Sequence, residues 1–220
     1  MKLAIGYPAY REQVHIGHTF QAAQMASLWA GLKQQPPNMI YVDSAFIDKA
    51  RNLLIAQALT MRCDWILQCD ADTYYTNPVH IARMLADGEA RRAAVIGAAV
   101  RMRKREAELF NVAHAPAFEP LTREQLGTET VIEVDRIGGA FTAINLGWLR
   151  DHWQDSPWFM VQHAEGPMPK TVGEDCWFSD GVRRRGGIIL VDPRFEPVHV
   201  GAGANETAAC MSMGVIRADV

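Results

Sequence analysis

Apolar runs of strand length alternate with helically spaced apolar residues through the first hundred positions, and nothing else restricts the possible folds of this chain so tightly. Runs at 2–5 and 39–42, the run beginning Trp65-Ile66-Leu67, and 93–100 read as strands. The last is an unbroken series of small apolar residues, as in a strand buried on both faces. Between them, 13–32 carries Val14, Phe20, Met25, Leu28 and Trp29 at helical intervals and stops before Pro36-Pro37. The stretch 48–61 sets Leu53, Leu54, Ala58 and Met61 on one side, and 78–86 reads as a third helix. The order β-α-β-α-β-α-β predicts an α/β, Rossmann-like domain whose central sheet is mostly parallel, with helices on both faces. With 220 residues, 49% of them hydrophobic, the chain suits one domain spanning 1–220.

The third strand runs into Asp70-Ala71-Asp72-Thr73. Residues two apart on a strand share a face, so both carboxylates are expected to converge at the carboxyl end of the strand, where open α/β sheets bind ligands. Two carboxylates held close repel unless a cation lies between them, and hard oxygen ligands favour Mg²⁺ or Mn²⁺. The same residues also suit a polar turn, with Asp72 or Asn77 capping the next helix and Pro78 in its first turn.

Other stretches offer chemistry of their own. Gly6-Tyr7-Pro8 reads as a sharp turn after the first strand, able to expose the Tyr7 ring for stacking or to pack it under the next helix. Arg51 and Asn52 fall near the start of the second helix, where amides, the helix dipole and a guanidinium fork suit an anion, although a solvated surface position suits Arg51 as well. The cationic run 101–105 could face a diphosphate or simply solvent, and 106–129, interrupted by Pro116 and Pro120, reads as a long irregular loop. A strand is expected over 130–136. Gly138-Gly139 then permits a close approach by backbone or ligand, followed by an apolar run to 144 and a helix over 146–152. Residues 157–170, with Trp158 and Phe159, read as another loop, and Glu174-Asp175 opens a helix running to about 185. The last strand covers 188–192, ahead of a strand-like segment holding His199.

Composition excludes several classes. A net charge of −3 and a pI near 6.2 argue against stable binding to bare nucleic acid. No stretch approaches the roughly 18 apolar residues of a membrane span, and the first residues lack the long apolar region of a signal peptide, so a cytoplasmic location is expected. Cys63, Cys69, Cys176 and Cys210 form no Cys-X-X-Cys pair and suggest neither a zinc site nor a disulfide framework.

Taken in order, Gly6-Tyr7-Pro8, Ala50-Arg51-Asn52, Asp70-Ala71-Asp72, the segment 134–144, Gly173-Glu174-Asp175-Cys176-Trp177-Phe178 and Val191-Asp192 with His199-Val200-Gly201 resemble a GT-A-fold (DXD-type) glycosyltransferase of the small soluble bacterial or phage kind. The resemblance implies Mn²⁺ or Mg²⁺ held by Asp70, Asp72 and His199 against the diphosphate of a nucleoside-diphosphate sugar, with a UDP-sugar as the expected donor. It implies a donor site bordered by Tyr7, Pro8, Arg51, Asn52, Asp70 and Ala71, and an acceptor side at Gly138, Gly139 and Trp177. Asp175, supported by Glu174, takes the place of the catalytic base toward a hydroxyl acceptor. On this reading the chain is a single GT-A-like domain whose mostly parallel sheet is joined by a smaller antiparallel part; 1–100 is the nucleotide-binding half, 130–201 the acceptor and catalytic half, and 203–220 a tail or lid. Helix N-terminal acids are also ordinary dipole partners, so Glu174 and Asp175 fit a capping role too.

Three other readings share these residues. Asp70-Ala71-Asp72-Thr73 fits the nucleophile motif of haloacid-dehalogenase-like phosphatases, although that strand normally opens the domain. A non-catalytic nucleotide-sugar-binding module would need no base. A nucleotidyltransferase would require more glycine after the first strand than Gly6 supplies.

Overall fold

The computed structural model describes residues 1–9, 16–33, 35–74, 79–102, 108–115, 119–163 and 171–199. In chain order the elements are β1 (Leu3–Ala9), α1 (Ile16–Lys33), β2 (Asn38–Asp43), α2 (Ile47–Thr60), β3 (Trp65–Cys69), β4 (Thr73–Tyr74), α3 (Val79–Ala90) and β5 (Val95–Ala98). They continue with β6 (Leu109–His114), β7 (Glu119–Thr122), α4 (Arg123–Leu126), β8 (Ile132–Glu133), β9 (Arg136–Ile137), β10 (Phe141–Asn145) and α5 (Leu146–His152). The series closes with β11 (Gln162–His163), β12 (Thr171–Val172), α6 (Glu174–Arg184), β13 (Ile189–Asp192) and β14 (Val198–His199).

Seven strands form the central sheet in the order β2-β1-β3-β10-β5-β13-β8. The four β-α-β strands and β13 run parallel where they pair, whereas β10 is inserted antiparallel between β3 and β5, and β8 lies antiparallel on β13. Side chains of each strand divide between two cores with period two. Ala4, Ile66, Val95, Ile144 and Val191 enter one core with Leu54 and Ala58 of α2, Leu149 of α5 and Phe178 of α6. Leu3, Ile5, Leu67, Ile96, Ala143 and Leu190 enter the other with Met25 and Trp29 of α1 and Ile81, Met84 and Leu85 of α3. The sheet is therefore covered on both faces, as the alternation of elements predicts.

Helices α2, α3 and α6 leave by the same route. The sixth residue of each closing turn donates back to the first, Cys63 N to Ala58 O, Ala93 N to Gly88 O and Gly187 N to Val182 O, with the preceding residue in the left-handed region. Gly186 occupies that position after α6, while Arg62 and Arg92 hold it after α2 and α3.

Several expectations need correction. Gly6-Tyr7-Pro8 is not a turn: β1 continues to Ala9, pairs Gly6, Tyr7 and Pro8 with Ile40, Tyr41 and Val42, and buries the Tyr7 ring. The stretch 106–129 contains two strands rather than only loop; with β9 they make up the smaller antiparallel part that the resemblance implies, in the order β7-β6-β9. The single strand expected over 130–136 is two short ones, β8 in the main sheet and β9 in the small one. Short strands of two to six residues carry too little periodicity to stand out in sequence. Residues 103–107, 164–170 and the tail 203–220 lie outside the described residues.

Candidate active site

The site is built where β3 ends. Asp70 follows Cys69, and Thr73 N donates to Asp70 O at 2.9 Å, closing a four-residue turn over Ala71 and Asp72. The two aspartates are thus presented by a turn rather than by strand alternation. Beyond it, β4 pairs antiparallel with β14, with His199 in register with Thr73, the residue after Asp72. The resemblance's three metal residues are therefore carried by neighbouring backbone, from strands remote in sequence.

Arg51 defines the floor of this region. Its position in the second turn of α2 directs it at the sheet, and it is only 2% exposed. Nη1 donates to Gln68 Oε1 at 3.1 Å and to the Gly139 carbonyl at 3.0 Å, Nη2 donates to Asp70 Oδ1 at 2.9 Å, and Nε donates to Glu174 Oε1 at 3.4 Å. The guanidinium also lies over the Phe159 ring, 5.7 Å from its centroid. Gln68 reaches it because β3 turns Ile66 and Gln68 toward α2. Gly139 reaches it because a Cβ there would stand 2.5 Å from Arg51 Cζ and Nη2. Gly138 is constrained separately: its added Cβ would meet Asn111 Nδ2 at 2.8 Å. The close approach expected at Gly138-Gly139 is thus made by two protein side chains.

Asn52, one residue on, uses its carboxamide completely. Nδ2 donates to the Asp48 and Phe159 carbonyls at 2.8 and 2.7 Å, and Oδ1 accepts from Trp158 N and Phe159 N at 2.8 and 3.0 Å. Two donors and two acceptor sites are the whole capacity of an amide side chain. The segment at Trp158 and Phe159 is thereby fastened to α2, and Phe159 stacks on Phe178 with ring centroids 4.4 Å apart.

Helix α6 brings the second pair of acids. Gly173 caps it without a side-chain bond, and Glu174 and Asp175 occupy the first turn, where the helix dipole favours negative charge. Asp175 Oδ1 accepts from Cys176 N at 2.7 Å. Burial raises the Glu174 pKa, and Asp175 adds to the rise, while Arg51 opposes it. The Arg51 guanidinium has its pKa raised by Asp70, then Glu174 and Asp175, against desolvation that lowers it. The Cys176 thiol is pushed up to about 12 by burial and by Asp175, so it is not a nucleophile at neutral pH. Trp177 is half-buried with Arg184 over its ring at 5.7 Å, and its indole N–H is buried without a hydrogen-bond partner.

The arrangement gathers Asp70, Glu174 and Asp175 around one buried cation, with Asp72 a turn away. Among the described residues, no three His, Cys, Asp or Glu side chains stand together as a metal-binding group. The donor set at the turn nevertheless fits a hard divalent cation in kind: carboxylate oxygens dominate it, and Arg51 engages only Oδ1 of Asp70. Tyr7 and Pro8 lie buried in β1, one strand away from this turn, and burial pushes the Tyr7 phenol well above its usual range. Arg51 and Asn52 were legible as candidates, but their inward-facing bonds were not, because a helix carries no mark of which turn meets the sheet end. Of the residues that complete the cluster, Gln68 offered no signal beyond its place in an apolar run, and Phe159 stood out only as an aromatic residue in a stretch read as a loop.

The fold that these elements define is a GT-A-like glycosyltransferase fold. The chain is similar to A197 from STIV, with 13% identity, a TM-score of 0.64, and 92% of this chain aligned to 87% of that one. It is also similar to GalNAc-T7, whose crystal structure holds UDP, GalNAc and Mn²⁺, with 11% identity and a TM-score of 0.62. There 92% of this chain aligns to 44% of the other, so the chain spans less than half the length of GalNAc-T7. No protein-family model matches the sequence, and no curated protein matches it by sequence.

Proposed function

We propose that the protein is a metal-dependent glycosyltransferase that moves a sugar from a nucleoside-diphosphate sugar, a UDP-sugar first among the candidates, to a hydroxyl acceptor. The observation that carries the reading is the shared guanidinium of Arg51, which holds the carboxylate at the end of β3 and the first carboxylate of α6 within reach of one another. A donor-side group and an acceptor-side group so joined leave the substrate between them. GalNAc-T7, of similar fold, holding UDP and Mn²⁺ supports the same direction.

On this reading Asp70, Asp72 and His199 would hold Mn²⁺ or Mg²⁺, which when bound would supply charge stabilisation for the departing diphosphate. Tyr7, Pro8 and Ala71 border the nucleoside side, and Gly138 and Trp177 the acceptor side. Asp175, at the start of α6 and part-exposed, takes the proton of the attacking hydroxyl if the reaction inverts. Phe159, buried under Arg51 and stacked on the buried Phe178, keeps water from the floor of the site. Among the described residues no helix is long and apolar enough to cross a membrane. Among the described residues Cys63, Cys69 and Cys176 form no disulfide.

The test is a thermal-shift panel of nucleoside diphosphates, with and without Mn²⁺, on the wild type and on Asp72→Ala. A ligand at a hundred times its dissociation constant stabilises the folded state by about 2.7 kcal/mol. Stabilisation by one nucleotide that requires metal and disappears in the variant supports the transferase. A flat panel, or phosphate-ester turnover through a phosphoaspartate at Asp70, replaces the reading.

A further inference from the structure

The resemblance sets Arg51 against the donor, yet the structure turns four of its five N–H groups to protein acceptors on four different segments. Gln68 lies in β3, Asp70 in the turn after it, Gly139 ahead of β10, and Glu174 opens α6. We propose that Arg51 is a positioning residue: a buried strut that fixes the Asp70 carboxylate relative to the start of α6, so that the donor side and the acceptor side of the site are set at one spacing without Arg51 touching the nucleotide. This rests on the transferase reading for its functional consequence, but the strut itself is a property of the fold.

The physical reasons are specific. A guanidinium 2% exposed cannot be solvated, so its charge must be met inside the protein, and Asp70 and Glu174 meet it. A guanidinium carries five donors in fixed directions on three nitrogens and so serves four acceptors at once, whereas an ammonium has three donors on one nitrogen at the end of a flexible stem. The side chains of Asp70 and Glu174 remain 26% and 16% exposed, so each keeps an edge toward the site while its other edge is held from beneath. Gly139 completes the device, because any Cβ at that position would occupy the space of the guanidinium. Phe159, under the same cation, is fixed by the Asn52 clamp, which leaves the strut little room to swing.

If Arg51 is shared in this way, Asp70 and Glu174 are energetically coupled although they lie far apart in the chain. Removing either carboxylate leaves the cation one ion-paired partner; removing both leaves a buried charge with no ion pair and only the more distant field of Asp175 to offset it. Melting temperatures are measured for Asp70→Asn, Glu174→Gln and the double variant, in the wild-type and Arg51→Lys backgrounds. The double variant in the wild-type background is expected to fall below the additive value by about 2 °C or more, with that excess lost or strongly reduced in the Arg51→Lys background. Gly139→Ala, which displaces the fork without changing a charge, is expected to behave like Arg51→Lys.

The functional arm is Mn²⁺ titration followed by paramagnetic resonance, and nucleoside monophosphate binding in the presence of a chelator. Arg51→Lys and Gly139→Ala are expected to weaken Mn²⁺ about tenfold and to leave metal-free nucleotide affinity within about twofold. Additive melting temperatures in the wild-type background overturn the strut. So does an Arg51→Lys variant that loses metal-free nucleotide binding, because Arg51 then contacts the donor. A wild type that binds no Mn²⁺ refutes the metal-dependent transferase, while the melting temperatures still decide the strut.

Discussion

Replacing Asn52 by Ala isolates the clamp on the segment at Trp158 and Phe159. The change deletes four hydrogen bonds of 2.7–3.0 Å and leaves the Trp158 and Phe159 amides facing the new gap. A net value near 1 kcal/mol for each bond, reduced by water that reaches the half-buried site, gives a loss of about 3 kcal/mol. For a domain of this size each kcal/mol moves the midpoint by about 2–4 °C, so the expected fall is about 6–12 °C. Asn52→Asp sharpens the test. A carboxylate still accepts from the two amides, but it turns an oxygen toward the Asp48 and Phe159 carbonyls where the amide donated. It should therefore stabilise no better than Ala. Thermal unfolding followed by far-ultraviolet circular dichroism measures both. A shift below about 2 °C for Asn52→Ala would falsify the view that this carboxamide holds the segment in place.

The other expectations are narrower. Asp175→Asn should abolish sugar transfer while metal-dependent nucleotide binding persists, and loss of both would remove Asp175 from the role of base. Glu174 has a raised pKa in the folded protein, so the stability its protonated form contributes is present below about pH 4.3 and fades as pH rises through the raised value. The midpoint of Glu174→Gln relative to wild type should accordingly rise from pH 4 to pH 8, and a flat or falling difference would contradict the assignment. Gly181→Ala would place a Cβ 2.3 Å from the Trp153 ring, which stacks with Phe178 and has Arg185 over it, so a loss of about 1–3 kcal/mol is expected in denaturant unfolding. Arg92→Gly, at φ 53° after α3, should raise the midpoint by about 1–3 °C, since Gly186 already fills the matching position after α6. No gain at Arg92 would mean that its side chain offsets the backbone cost.

Much of the architecture was legible because it is written in local periodicity. The strand runs that became β1, β2, β3 and β5, and the helical spacing of α2 and α3, each announce themselves within a dozen residues. What failed did so where pairing is distant. Strand β6 meets β9 with Val112 opposite Ile137, and neither has enough length to show a pattern before that contact is made. Tyr7 and Pro8 looked like a turn because proline and glycine punctuate sequences. The ladder to β2 overrode that signal, and the ladder to β3 ends at Gly6, two residues short of the amide that proline lacks.

By itself the sequence determined the α/β alternation, the place of Asp70 and Asp72 at the end of the third strand, and the acids at the head of α6. These follow from side-chain period and helix-end chemistry, which involve only neighbours in the chain. Only the tertiary structure decided that β10 enters antiparallel beside β3, and that Arg51 points into the protein instead of toward solvent. It also set Glu174 and Asp70 against the same guanidinium and brought His199 level with Thr73. Each of those is a contact between segments remote in the chain, fixed by which faces of the sheet must be buried at once. A single element cannot encode that requirement, because its apolar face says only that it must be covered and not by what.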